Sequence, residues 1–171
     1  MKSTTTSSPL EKGFVVPAQK AQIQDCLEIL RDSILGQYFE PPLAASILES
    51  AHSTGGLHVA VAEGRVEGFY VNEPMGAFLV FPYLHLLAVR TSNRGKGIGT
   101  ALLTHLETAM LLKPGYPSRP KIFLLVASDN LRAVSFYVRN GYTRIAAIDD
   151  MFGPGDTELI MMKDLGEKSQ L

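Results

Sequence analysis

Hydrophobic positions along the chain follow two different periods, and the period changes several times. Spacings of three and four residues predict helices, whereas alternation or a short apolar run between turn residues predicts a strand. The predicted helices are Ala18 to Leu35, Pro42 to about Ala51, Gly97 to Lys113 and Asn130 to Asn140. The predicted strands are Phe14 to Val16, Leu57 to Ala62, Val66 to Asn72, Tyr83 to Arg90, Lys121 to Ala127, Tyr142 to Ile148 and Glu158 to Lys163. The segment from Pro74 to Pro82 fits neither pattern. Alternating strands and helices predict a mixed α/β sheet.

One junction between a strand and a helix has the composition of an anion site. An apolar strand ends near Val89, and a helical pattern begins near Gly97. The first N–H groups of a helix have no partner inside it and carry partial positive charge, so a phosphate can satisfy both. Between strand and helix the chain supplies small residues for close backbone approach and two cations. These are Gly95, Gly97 and Gly99, with Arg94 and Lys96.

The spacing of these glycines argues against two common phosphate loops. A dinucleotide-binding turn needs a third glycine or alanine where this chain has Thr100. A Walker A loop needs a glycine at the position of Arg90 and a hydroxyl residue at the position of Gly97. A nucleotide-binding regulator is therefore disfavoured.

Two separate motifs resemble those of the GNAT family of acetyl-CoA-dependent N-acetyltransferases. The first is Arg94-x-x-Gly97-x-Gly99, which follows Leu87-x-Val89 as the family's pyrophosphate loop follows its strand. The second matches the family's later cofactor segment at Asn130-x-x-Ala133-x-x-Phe136-Tyr137-x-x-x-Gly141-Tyr142. The resemblance covers roughly residues 14 to 165, and two motifs at the proper separation make it specific.

The resemblance implies a fold, a cosubstrate and a set of binding residues. It implies one domain over residues 14 to 171, with a mostly antiparallel sheet that splays around acetyl-CoA and about four flanking helices. The polar composition of residues 1 to 13 predicts a mobile tail before it. The pantetheine arm would pair with the main chain near Leu87 and Val89, as an exposed strand edge pairs with an amide-bearing ligand. The implied cofactor-binding residues are Leu87, Ala88, Val89, Arg94, Gly95, Lys96, Gly97, Ile98, Gly99, Thr100, Asn130 and Tyr137. For Asn130 alone, a helix N-cap is the alternative.

Catalytic roles follow from the same resemblance. Tyr137 matches the tyrosine that protonates the leaving CoA thiolate in many members, with an aromatic core position as the alternative. Several members carry a glutamate five residues before the motif asparagine, where this chain has Leu125. His85 matches a proton-relay histidine of the arylalkylamine N-acetyltransferases, and a hydrogen-bonded structural histidine is the alternative. Tyr83, two residues earlier, would hold a relay water, and Glu73 is a further candidate base.

Composition excludes several other classes of protein. The chain has 171 residues, 46% of them hydrophobic, which is enough for one substantial core. A formal net charge of −1 provides no excess of positive charge that would attract nucleic acid or an anionic membrane. No apolar run reaches the roughly 20 residues of a membrane span, and no signal-peptide pattern opens the chain. The single Cys26 excludes an intrachain disulfide and fits a cytoplasmic protein. His52, His58 and His105 lack the spacing of a metal site.

The expected activity is transfer of an acetyl group from acetyl-CoA to a primary amine by direct attack on the thioester. The alternatives are a catalytically inactive CoA-binding sensor and a relative that uses another acyl-CoA. The acceptor would be a small-molecule or peptide amine, without nucleic-acid, membrane or metal partners, and a homodimer is allowed. Aromatic side chains in the segments expected to line the acceptor site favour an apolar or arylalkyl amine. They are Tyr38, Phe39, Phe78 and Phe81.

Overall fold

The computed structural model describes residues 14–166. Across these residues the chain forms seven strands and four α-helices. The strands are β1 (Phe14–Pro17), β2 (Leu57–Ala62), β3 (Arg65–Ala77), β4 (Phe81–Val89), β5 (Lys121–Ala127), β6 (Thr143–Asp149) and β7 (Thr157–Asp164). The helices are α1 (Ile23–Arg31), α2 (Pro41–Ser53), α3 (Ile98–Leu112) and α4 (Leu131–Arg139). The predicted tail at 1 to 13 lies outside the described residues.

The strands form one mixed sheet in the order β1-β2-β3-β4-β5-β7-β6. Neighbours pair antiparallel between β1 and β2, β2 and β3, β5 and β7, and β6 and β7. The pair of β4 and β5 is parallel. The prediction of a mixed, mostly antiparallel sheet with four helices is therefore confirmed.

Contacts within the chain divide it into two compact units. Among the described residues, the first contains 14–71 together with Leu87–Leu103, and the second contains Asn72–Leu86 together with 104–166. Strands β3 and β4 and helix α3 each continue from one unit into the other. The single domain over residues 14 to 171 stays a prediction.

In the first unit, α1 contributes an apolar stripe to the core. Cys26, Ile29 and Leu30 are at most 1% exposed, at the helical spacing of an amphipathic segment. Burial raises the pKa of the Cys26 thiol to about 12, so this cysteine is protonated at neutral pH and packs as a small hydrophobe.

The predicted continuous helix from Ala18 to Leu35 is wrong in its boundaries. The α-helical part ends at Arg31, between 3₁₀ turns at Lys20–Gln22 and Ile34–Gln37. The Ser33 hydroxyl donates to the Leu30 carbonyl and accepts from the Leu35 N–H, and these local bonds compete with the helical ladder.

The segment from Pro74 to Pro82, whose sequence fits neither period, forms the far end of β3, a tight turn and the start of β4. The pairing of β2 with β3 ends at Leu57 and Val71, so Pro74 lies beyond that ladder and its missing N–H breaks none of its bonds. The Tyr116 hydroxyl donates to the Pro74 carbonyl. Phe78 and Leu79 form the turn with φ of 55° and 57°, and both side chains are exposed.

In the second unit, β5 and its two neighbours share one buried apolar face of the sheet. The residues Leu84, Ile122, Leu124 and Met161 are at most 2% exposed. Strand β6 forms the edge of the sheet, and its residues are exposed along its whole length.

Candidate functional site

The predicted phosphate loop lies in the first unit, between the end of β4 and α3. Gly95 and Gly97 have φ of 79° and 85°, a left-handed conformation that side chains with a Cβ rarely adopt. The N–H of Ala101 donates to the Gly97 carbonyl at 2.9 Å and starts the helical hydrogen bonds. The N–H groups of residues 98 to 100 therefore have no acceptor within the helix. Unpaired N–H groups at the start of a helix are the feature on which the predicted anion site depends, and the site itself stays a prediction.

A buried carboxylate anchors this loop from β3. Glu67 is 7% exposed, and it accepts a hydrogen bond from Asn93 Nδ2 at 2.5 Å. Asn93 Oδ1 in turn accepts from Lys96 Nζ at 2.6 Å. Arg90 Nε lies 3.8 Å from Glu67 Oε2 and supplies the compensating charge. The loop cation Lys96 is thus fixed through Asn93 to a buried side chain.

Sequence reasoning missed Glu67 and Asn93. The one available signal was a carboxylate inside an apolar strand, because buried carboxylates are rare unless they are paired. Close packing requires glycine at the neighbouring position 68, because a Cβ on Gly68 would lie 2.9 Å from the Ala88 carbonyl oxygen. The predicted loop cation Arg94 is half-buried, and its Nε donates to the Val89 carbonyl at 3.3 Å.

In the second unit, the parallel pairing of β4 and β5 is very short. It comprises the register pairs Tyr83 with Phe123 and Leu84 with Leu124. His85 and Leu86 follow on β4 without a register partner on β5, both strands being fully described there. The strands separate at this point, as in the splayed sheet that the GNAT resemblance implies.

Tyr137 lies on α4 with its ring packed against two other aromatic side chains. Its ring centroid is 5.3 Å from that of Phe136 and 5.7 Å from that of Tyr142. The residue is 8% exposed, and burial raises the pKa of its phenol above the ordinary range, with Tyr83 as a smaller cause. The ring is therefore a core element, while its hydroxyl makes no hydrogen bond within the described chain.

The other predicted proton-transfer residues lie together in the second unit. His85 Nδ1 is 3.6 Å from Glu73 Oε1, and the His85 ring is 5.7 Å from that of Tyr83. Burial raises the pKa of Tyr83 to about 12, and the carboxylates of Glu73 and Glu158 add to the shift. His85, Tyr83 and Glu73 thus form one cluster, in which sequence reasoning missed Glu158.

Asn130 occupies the N-cap of α4. Its Oδ1 accepts from the Ala133 N–H at 3.2 Å, so the capping role weighed as an alternative is present. The capping bond uses the side-chain oxygen and leaves the two donors of the amide nitrogen for another acceptor.

Two further features of the described residues bear on the class of site. Among residues 14–166, no three His, Cys, Asp or Glu side chains form a group that could hold a metal ion. None of the helices in this part of the chain has the length and apolar character needed to cross a membrane.

Comparisons with known proteins agree with the fold and with the family that the sequence resembles. A family model described as an acetyltransferase (GNAT) domain matches residues 53–144, more than half of the 171 residues. A 5-NmdU N-acetyltransferase of Pseudomonas phage PaMx11 is 30% identical over 96 residues, which are 56% of this chain and 62% of that protein. The chain covers less than two thirds of the length of the curated relatives it matches.

Solved structures show the same fold at low sequence identity. Ard1 from Thermoplasma volcanium has a TM-score of 0.75 at 20% identity, covering 91% of this chain and 99% of that one. The yncA acetyltransferase from Salmonella typhimurium, solved with its cofactor acetyl-CoA, has a TM-score of 0.72 at 18% identity over 93% of this chain and 97% of its own. With the family model and the loop geometry in agreement, this chain belongs to the GNAT acetyltransferase family.

Proposed function

We propose that this protein is an acetyl-CoA-dependent N-acetyltransferase that acetylates a primary amine. The observation that carries the proposal is the loop before α3, with Gly95 and Gly97 at positive φ and free amides at residues 98 to 100, in a chain of the GNAT family. Similar folds have been solved with CoA or acetyl-CoA bound, which supports the same cosubstrate here.

The loop would hold the pyrophosphate, mainly through its backbone. The amides from Gly95 to Thr100 donate to phosphate oxygens, and the helix dipole adds to the attraction. Arg94 and Lys96 add charge that salt screens more strongly than the amides. The main chain at residues 87 to 89 and the amide nitrogen of Asn130 would bind the pantetheine arm.

The proposed reaction needs two proton transfers. The amine nitrogen forms a bond to the acetyl carbonyl carbon, the carbon–sulfur bond breaks, and CoA leaves as a thiolate. His85 accepts the proton that the amine loses, and the Glu73 carboxylate beside it stabilises the charged imidazolium. Tyr137 donates a proton to the thiolate, since burial keeps its phenol protonated at neutral pH.

A CoA-binding sensor without turnover is the second candidate. It is favoured by Leu125, which stands where several GNAT members carry a glutamate. A relative that uses a longer acyl-CoA is compatible with the same loop. The cytoplasmic location and a homodimer stay predictions.

Release of free CoA thiol from acetyl-CoA, measured over a panel of amines, tests the proposal. Amine-dependent release of CoA thiol from acetyl-CoA supports an acetyltransferase. Faster release from propionyl-CoA or a longer acyl-CoA than from acetyl-CoA identifies a different acyl donor. Binding of CoA by calorimetry without release from any donor would instead identify the sensor. Absence of CoA binding would overturn both.

A further inference from the structure

One face of the sheet in the second unit carries the proton-transfer residues and a carboxylate that they do not explain. Tyr83 on β4 is the register partner of Phe123 on β5, and Ala127 on β5 is the partner of Glu158 on β7. Because alternate residues of a strand share a face, Tyr83, His85, Ala127 and Glu158 all point to the same side of the sheet. Glu158 is therefore on the side of the proposed base.

Glu158 is buried without a partner. It is 8% exposed, and it makes no hydrogen bond or ion pair within the described chain. Its register partners on either side, Ala127 and Ile148, are apolar. A carboxylate held largely out of water without a partner costs free energy, so such a group in a native protein needs an explanation. Its oxygens are not among the fully enclosed polar atoms, so a ligand can reach them.

The other charges near Glu158 are of the same sign. Burial raises the pKa of Glu158, and the nearby carboxylates of Asp156 and Asp129 raise it further. Glu73 Oε1 lies 3.6 Å from His85 Nδ1, and the carboxylates of both Glu73 and Glu158 raise the pKa of the Tyr83 phenol. The face thus has a carboxylate that supports the proposed base and a second carboxylate with no task in proton transfer.

We propose that Glu158 binds a second ammonium group of the acceptor, which makes the substrate a short aliphatic diamine or polyamine. The inference rests on the proposed acetyltransferase function. One nitrogen of the acceptor would lose its proton to His85, while the other stays charged and forms an ion pair with Glu158. Strands β4 and β7 are the two neighbours of β5, and Glu158 lies two residues further along β5 than the level of His85, so their backbones are at least about 12 Å apart. Both side chains extend into this gap, and a short diamine with its hydrogen bonds can span what remains.

The test compares putrescine with n-butylamine, which has the same number of carbons and lacks the second amine. We expect kcat/KM for putrescine to exceed that for n-butylamine by about tenfold or more, since hydrogen bonds to charged groups are among the stronger ones. In Glu158→Gln this ratio should fall to near one. The matched control is Glu49→Gln, which removes an exposed carboxylate from α2 and should leave the ratio as in the wild type.

Folding of the variant is checked by its melting temperature. Glu158→Gln removes an unpaired buried charge, so we expect a melting temperature equal to or above that of the wild type. Equal kcat/KM values for the two amines in the wild type would overturn the inference and leave the acetyltransferase proposal intact. A putrescine preference that persists in Glu158→Gln would overturn it as well.

A further measurement covers the case in which neither amine is acetylated. Putrescine is then titrated calorimetrically into the wild-type protein in the presence of CoA. Binding that Glu158→Gln weakens at least tenfold supports the ammonium site although the proposed function fails. Absence of putrescine binding overturns the site.

Discussion

At the scale of single residues, Tyr137 combines a structural ring with a free hydroxyl. The ring packs against Phe136 and Tyr142, while the hydroxyl forms no hydrogen bond in the described chain. The Tyr137→Phe variant keeps the packing and removes only the proposed acid. We expect kcat to fall by about 10²-fold with CoA affinity unchanged, as steady-state rates and calorimetry would show.

Tyr142→Phe provides the matched control for this prediction. Tyr142 is 1% exposed in the same aromatic cluster, and the GNAT motif accepts Phe or Tyr at this position. Its kcat should stay near the wild-type value. A general acid works only while it is protonated. Because the pKa of Tyr137 is raised above the ordinary value of about 10, its deprotonation should not lower kcat below about pH 10. An unchanged kcat in Tyr137→Phe would make Tyr137 a core residue only.

The role of His85 is decided by the pH profile. If His85 accepts the proton of the amine, kcat/KM falls at low pH as the imidazole becomes protonated. His85→Gln should lower kcat/KM by about 10²-fold and remove this acidic limb. The acceptor should be a hydrazide or arylamine, because an alkylamine is itself protonated at neutral pH. A variant that keeps both its rate and its profile would show that His85 is structural and that solvent takes the proton.

At the scale of elements, the loop before α3 depends on backbone conformation more than on side chains. Gly97 has φ of 85°, so Gly97→Val strains the turn and fills space that a phosphate would need. We expect the calorimetric Kd for CoA to rise by at least about 100-fold. Gly115→Val is the control, because Gly115 has φ of 83°, a Cβ there meets no atom within 4 Å, and its turn lies outside the loop. A folded Gly97→Val protein with wild-type CoA affinity would remove the basis of the proposed function.

Elements set by local patterns were predictable from the sequence. Strands β2 and β5 have the predicted bounds, and α3 and α4 are each one residue shorter than predicted at both ends. The predicted helix from Ala18 failed because Ser33 offers the backbone alternative hydrogen bonds, which periodicity does not register. The far end of β3 was missed because Pro74 is tolerated only where the neighbouring ladder stops, and that depends on the register.

The residues of the candidate site also fall into two groups, those that local sequence predicts and those that it does not. Tyr137, Gly97 and His85 occur in motifs or at strand spacings that one segment contains. Glu67 was missed because its partner Asn93 is 26 positions away, and Glu158 because strand register alone brings it to the face of Tyr83. Residues whose roles depend on distant parts of the chain become visible only once the topology is known.

At the scale of the whole molecule, the two compact units share continuous elements. Strand β3 passes from the first unit to the second after Val71, β4 returns after Leu86, and α3 crosses again after Leu103. Unfolding one unit alone would have to break each of these elements in its middle, and helix and sheet formation are cooperative.

Unfolding should therefore be a single cooperative transition. In native-state hydrogen exchange, the most protected amides of β2 in the first unit and β5 in the second should report the same free energy of opening. CoA at about 100 times its Kd should raise both values by about 2.7 kcal/mol, because a ligand that binds only the folded state stabilises the whole cooperative unit. Gly97→Val, which is expected to bind CoA poorly, should lose this increment in both strands. Two different opening free energies, with CoA raising only that of β2, would show that the units unfold separately and would contradict the prediction of one domain.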